Sequence, residues 1–158
     1  MPSAQSSAAP ATGRALRLGD VGWVVPMTLV ALARLIRARL AFAHLQASDL
    51  PQRNAAAAKV EVPAQADERL AERIGFIIPR LSDRLPWRSD CVIQAIAAQD
   101  WLADRGMSSE IRIGVERPED GPFAAHAWLI RGDRVITGGD ISRYSLLLGE
   151  REAGEVQP

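Results

Sequence analysis

Fifteen consecutive residues constrain this chain more than anything else in it. Cys91-Val-Ile-Gln-Ala-Ile-Ala-Ala-Gln-Asp-Trp-Leu-Ala-Asp-Arg105 follows two good N-cap residues, Ser89 and Asp90, and is closed by Gly106, a C-terminal stop. Val92, Ile93, Ile96, Trp101 and Leu102 make the predicted helix apolar nearly all round. A helix without a polar face has to be wrapped by the rest of the chain, so the segment is read as a central buried helix.

What can wrap it follows on both sides. After Gly106 the period becomes two: Glu110 to Val115 alternates polar and apolar, Phe123 to Ile130 reads as a second strand, and Arg134 to Thr137 as a third. Arg131-Gly-Asp-Arg134 is a tight hairpin signal, and Glu116 to Pro122 an exposed loop. Before the central helix, apolar spacing from Pro26 to Leu45 predicts one helix, with Pro26 at its start and Arg34, Arg37 and Arg39 as its charges. Gln46 to Pro63 reads as a linker, and Ala66 to Ile78 as a second helix ended by Pro79. Helices first and a small antiparallel sheet after them predict an α+β domain. The boundaries expected are a disordered tail over 1–20, an amphipathic helix and linker over 21–65, and the core over 66–150.

At 158 residues the chain fits a single domain. Nineteen Lys and Arg balance nineteen Asp and Glu, so no global field draws it to nucleic acid, and any basic surface must be local. The amino terminus lacks the basic start and apolar middle of an export signal. The uncharged run Val21 to Ala33 is too short for the roughly 20 residues that span a bilayer. With one cysteine and no intrachain disulfide, a reducing compartment is expected, and cytoplasm is the default location.

That cysteine, Cys91, stands at the start of the central helix. Unpaired backbone N–H groups and the positive dipole end there favour a thiolate, and can also donate to an oxygen that turns negative when sulfur attacks a carbonyl. A lone cysteine that merely packs is the competing reading. Only two histidines exist. His44, at the end of the basic helix, is read as a cap, whereas His126 sits on the second strand among Ala and Trp, where an imidazole needs a partner. A third group would hold the ring, and the candidates are Asp133 in the hairpin and Asp140 beyond the third strand. Asp140 is the nearer in register, provided that Gly138-Gly139 forms a bulge. No metal-ligand spacing and no phosphate-cradling loop is present in the sequence, so neither metal nor cofactor is expected.

Ser89-Asp-Cys-Val-Ile-Gln-Ala95, Gly106, Ile111-Arg-Ile-Gly-Val115, Ala125-His-Ala-Trp128 and Val135-Ile-Thr-Gly-Gly139 occur in that order. The series resembles the peptidase domain of lasso-peptide maturation B proteins, in the transglutaminase-like superfamily, over roughly residues 66 to 148. The resemblance implies a transglutaminase-like (papain-like) cysteine peptidase that cuts a ribosomally made precursor at its leader–core junction. Cys91 would be the nucleophile and His126 the base and acid, with no cofactor. Family members usually carry a third acidic residue after the histidine strand; the matching stretch here, Thr137-Gly-Gly-Asp140, departs from that pattern in having no acid at its first three positions, so Asp140 and Asp133 both stay candidates.

The winged-helix leader-recognition domain of some members has no counterpart in the first 65 residues. The precursor's leader, a separate leader-recognition chain and the lasso cyclase are therefore the expected partners. The basic helix is a candidate docking face, and a weak peripheral membrane contact through it is a further reading. Acyl transfer through the same thioester, and a non-catalytic scaffold on this fold, are the alternatives in function.

Overall fold

The computed structural model describes residues 21–46, 48–59, 68–87, 90–116 and 123–148. The expected tail over 1–20 and the loop at 117–122 lie outside them, as does the Ala66 start of the second predicted helix. Four helices come first, α1 (Val21–Phe42), α2 (Asp49–Ala58), α3 (Glu68–Ser82) and α4 (Cys91–Ala103). Four strands follow, β1 (Glu110–Glu116), β2 (Ala124–Arg131), β3 (Arg134–Thr137) and β4 (Ser145–Leu148). They form one antiparallel sheet in the order β3-β2-β1-β4. This is the expected α+β arrangement.

The all-round apolar helix is α4, and it is central. Ile93, Ile96 and Leu102 are shut off from solvent together with Ala95, Ala97 and Ala98. Around them pack Leu35 of α1, Ile74 and Ile78 of α3, and Ile111, Leu129 and Ile136 of the sheet. Each such aliphatic side chain contributes about 1.5–3 kcal/mol by leaving water. Gly106 stops the helix with φ 71, while the Met107 N–H returns to the Leu102 carbonyl. Against the sheet, α3 comes close enough that a Cβ at Gly75 would stand 2.6 Å from the Ile136 carbonyl oxygen.

Four elements depart from the sequence reading. First, the described α1 runs from Val21, so Pro26 lies inside it, beyond the first turn, and removes one i→i−4 bond, to the Gly22 carbonyl. Second, α3 continues through Pro79 to Ser82, because Ile77, Ile78 and Ser82 are buried against the core and packing outweighs the lost backbone bond.

Third, the segment read as a linker contains α2. Its four alanines favour helix, Leu50 joins the hydrophobic core, and a polar tie adds to it: Asn54 donates Nδ2–H to the Ile111 carbonyl at 2.8 Å and accepts the Ile111 N–H at 2.9 Å. The carboxamide thereby acts as a one-residue neighbouring strand on the β1 edge. Gln99 of α4 donates to the same Asn54 oxygen at 3.0 Å, and Arg53 pairs with Asp100.

Fourth, β4 was not anticipated. Its Leu-Leu-Leu run does not alternate, and it pairs with β1 around a bulge that leaves Leu147 exposed.

The three arginines of α1 are also not one face. Arg34 turns inward to α4, donating to the Asp100 carbonyl at 3.3 Å and pairing with Asp104 at 2.6 Å, whereas Arg37 and Arg39 are exposed.

Candidate active site

The start of α4 meets the middle of β2. Asp90 takes the extended N-cap conformation before Cys91, although its side chain makes no capping bond, and its carbonyl accepts the Gln94 N–H at 3.1 Å. β3 stops pairing with β2 at Leu129. Two residues earlier on β2, the Ala127 N–H donates to Cys91 Sγ at 3.3 Å. A backbone donor next to His126 therefore fastens the half-buried sulfur to the histidine strand.

Strand alternation sends Ala127 and Leu129 toward the helices and His126 and Trp128 to the other face. There the His126 ring is held on two sides. Its Nε2 lies 2.6 Å from the Gly138 carbonyl oxygen, and its plane stacks on Tyr144 at 4.8 Å between centroids with Trp128 at 6.2 Å. A carbonyl oxygen only accepts, so Nε2 carries the proton and Nδ1 is the basic nitrogen of the neutral ring. Cys91 Sγ makes no hydrogen bond to that ring among the described residues.

Two glycines make room for this cluster. Trp128 lies across Gly114, where a Cβ would come within 2.7 Å of the indole, and Gly138 (φ 115) presses its backbone on the Trp128 Cβ.

Neither carboxylate named from the sequence touches the ring. Asp133 is exposed in the hairpin turn, where Gly132 supplies φ 54. Asp140 is also exposed, and its Oδ1 accepts the Ser142 N–H at 3.0 Å. That backbone bond, then the Ser142 hydroxyl and the Arg143 charge, hold its carboxyl below the usual aspartate value. The register explains the geometry. β3 has its bulge at Ile136, between the pairs Ile130↔Val135 and Leu129↔Thr137, rather than at the two glycines. The chain then leaves the sheet, with positive φ at both Gly138 and Gly139. His44, read as a cap, lies in the turn after α1, its own N–H bonded to the Ala41 carbonyl at 3.0 Å.

Sequence reasoning did not single out Tyr144 or the Gly138 carbonyl. A backbone acceptor leaves no side-chain signature, and an aromatic eighteen residues after a histidine marks no contact by itself.

A sequence model of the transglutaminase-like superfamily matches residues 32–148. The chain belongs to the transglutaminase-like superfamily. Cysteine-based catalysis is common in this superfamily, and the match runs from the second half of α1 to the end of β4. No curated protein and no solved structure matches the chain.

Around this transglutaminase-like core the described residues gather no group of three His, Cys, Asp or Glu side chains that could hold a metal, and no described helix is long and apolar enough to cross a membrane. A cleft of about 590 Å³ between α2 and the Glu110 end of β1 includes neither Cys91 nor His126. Its charges are already answered, Arg112 by Glu110 and Arg131 by Glu68, so the cysteine site and not this cleft is where the chemistry is sought.

Proposed function

We propose that this transglutaminase-like protein is a cysteine peptidase with Cys91 as nucleophile and His126 as general base and acid. The observation that carries the reading is the bond from the Ala127 N–H to Cys91 Sγ, which sets the sulfur at the start of a buried helix and beside the histidine strand. His126 Nδ1, the nitrogen not engaged by Gly138, takes the thiol proton while sulfur attacks the scissile carbonyl carbon. The carbonyl oxygen becomes negative and is met by unpaired N–H groups at the start of α4. Collapse breaks the C–N bond, and Nδ1 returns the proton to the leaving amine. Water, deprotonated by Nδ1, then attacks the thioester, and sulfur regains its proton as the C–S bond breaks. Nδ1 has to close onto Sγ when substrate binds, as catalytic hydrogen bonds commonly tighten on binding. The Gly138 carbonyl orients the ring in place of a carboxylate, since Asp140, two residues further on, accepts the Ser142 N–H instead.

The substrate proposed is a precursor peptide cut at its leader–core junction, in lasso-peptide maturation. Its support is the ordered series of blocks from Ser89 to Gly139 that resembles the maturation B proteins. A separate chain would present the leader, and a cyclase would use the freed amine of the core.

Mass spectrometry of a candidate precursor with a leader-binding partner tests this. Cleavage at one bond by the native protein and none by Cys91→Ala is the expected result, and equal cleavage by both removes Cys91 as nucleophile. Product carrying an added amine instead of water would identify acyl transfer.

A scaffold role is the second reading, favoured by the missing bond between Cys91 Sγ and the His126 ring. Its sign is a Cys91 that iodoacetamide does not alkylate in the folded protein, together with an unprocessed precursor.

A further inference from the structure

Three aromatic side chains meet over the middle of β1. His126 and Trp128 stand on β2, Tyr144 immediately precedes β4, and β1 separates the two strands. Gly114 of β1 pairs with His126 on one side and with Leu146 on the other, and it carries no side chain to keep the rings apart. A Cβ there would stand 2.7 Å from the Trp128 indole, in the space the cluster fills. Glycine inside a strand weakens it, and often marks a close approach. Across that gap Tyr144 lies 4.8 Å from the centre of the imidazole, with 30° between the planes, and 6.4 Å from Trp128.

Tyr144 is itself held in place. Its N–H donates to the Ile141 carbonyl at 3.1 Å, and the Ser142 N–H donates to Asp140, which closes the turn that presents the ring. The next residue, Ser145, pairs with Val115 of β1. On the other side in sequence, Arg143 lies over the tyrosine ring at 5.3 Å and pairs with Glu116 at 3.5 Å.

An imidazole stacked in this way is barred from a half-turn about its Cβ–Cγ bond, because that turn drives the ring edge through the tyrosine plane. The half-turn is the movement that would take Nε2 off the Gly138 carbonyl, 2.6 Å away, and exchange the sides on which the two nitrogens lie. Sliding within its own plane stays open to the ring, so the closure of Nδ1 onto Sγ is compatible with the stack. We infer that Tyr144 is the positioning residue of His126: its aromatic face keeps Nε2 on Gly138 and leaves Nδ1 as the basic nitrogen. The part Nδ1 plays in cleavage rests on the peptidase reading; the hold on the ring does not. Since the face and not the hydroxyl does this, phenylalanine should serve and a non-aromatic residue should not.

The test uses the full chain with nitrogen-15 in its histidines, in a His44→Gln background so that His126 gives the only ring signals. At a pH where the ring is neutral, the protein with Tyr144 and Tyr144→Phe should both show one tautomer, with the proton on Nε2. Tyr144→Leu should show both tautomers, with the two ring-nitrogen shifts drawn together. In cleavage of the precursor, Tyr144→Leu should lose about ten- to hundredfold in kcat with KM within about twofold of native, and Tyr144→Phe should stay within about threefold. Tyr144→Met is a second non-aromatic variant, and thermal melts by circular dichroism establish that each folds. A single Nε2 tautomer in both non-aromatic variants overturns the inference, as does a loss in Tyr144→Phe equal to that in Tyr144→Leu. A rise in KM alone would make Tyr144 a substrate contact and overturn it too. If the native protein cuts no precursor, the peptidase reading falls, and the tautomers of the non-aromatic variants decide the positioning by themselves.

Discussion

The His126 imidazole gives its Nε2–H to the carbonyl oxygen of Gly138 at 2.6 Å, so a main-chain group occupies the place where a carboxylate was sought. A carbonyl fixes ring orientation and tautomer as a carboxylate does, but brings no full negative charge to meet an imidazolium.

The ring should therefore depend on Gly138 and not on the Asp140 side chain in this conformation. Nitrogen-15 NMR of the neutral ring should show the proton on Nε2 in the native protein and in Asp140→Asn. Cleavage by Asp140→Asn should stay within about threefold of native, against losses of up to about 10⁴-fold where an orienting carboxylate is removed. Gly138→Ala, at φ 115 with its Cβ driven into Trp128, should release the ring and lower both signals. A hundredfold loss in Asp140→Asn with normal folding would restore the carboxylate to the site.

Asn54→Ala should loosen α2 from the sheet. It strands the Ile111 N–H and carbonyl together, at a cost of about 1–3 kcal/mol. Urea unfolding should show the lower midpoint, and hydrogen exchange should show the Ile111 amide losing protection. An unchanged exchange rate at Ile111 would mean the carboxamide contributes nothing there.

Gly75→Ala separates propensity from packing. Helix propensity alone favours alanine by about 1 kcal/mol. The added methyl would meet the Ile136 carbonyl oxygen at 2.6 Å, a backbone atom that cannot swing aside. The expected net result is destabilisation of about 1–3 kcal/mol in urea titration. A more stable variant would show that α3 can back away from β3 at little cost.

Acid should release the turn after β3. The Asp140 carboxyl is held low, first by the Ser142 N–H, so its folded value lies below its unfolded one. The contribution of that turn is present above the unfolded value and is lost as pH falls through the lowered folded value. The Ser142 amide resonance should titrate with a midpoint below that of an ordinary aspartate, and the acid limb should vanish in Asp140→Asn. A midpoint at or above the ordinary value would remove the bond.

Where sequence and structure agree, a local pattern was enough. Cys91 to Arg105 had no polar side to give to water, Gly106 could take the left-handed stop, and the alternation from Glu110 to Thr137 fitted one face of a sheet. Pro79 was misread as an end because local rules do not weigh Ile78 and Ser82 against a core. The α2 helix escapes local rules because its anchors are tertiary: Leu50 enters the core, and Asn54 binds the backbone of Ile111, 57 residues away. No window of sequence contains that pair.

The amino acids by themselves determined that an apolar helix headed by Cys91 would be buried under a sheet carrying His126, because hydrophobic period and helix-end chemistry are properties of short segments. Only the tertiary structure decided what each of those groups touches. Sulfur took the Ala127 N–H, the imidazole took the Gly138 carbonyl under Tyr144, and Asp140 turned to Ser142. The physical reason is that these contacts join residues far apart in the chain and depend on strand register, as at Ile136, where a one-residue shift in the pairing of β3 with β2 comes just before Gly138 and leaves no mark in the sequence around it.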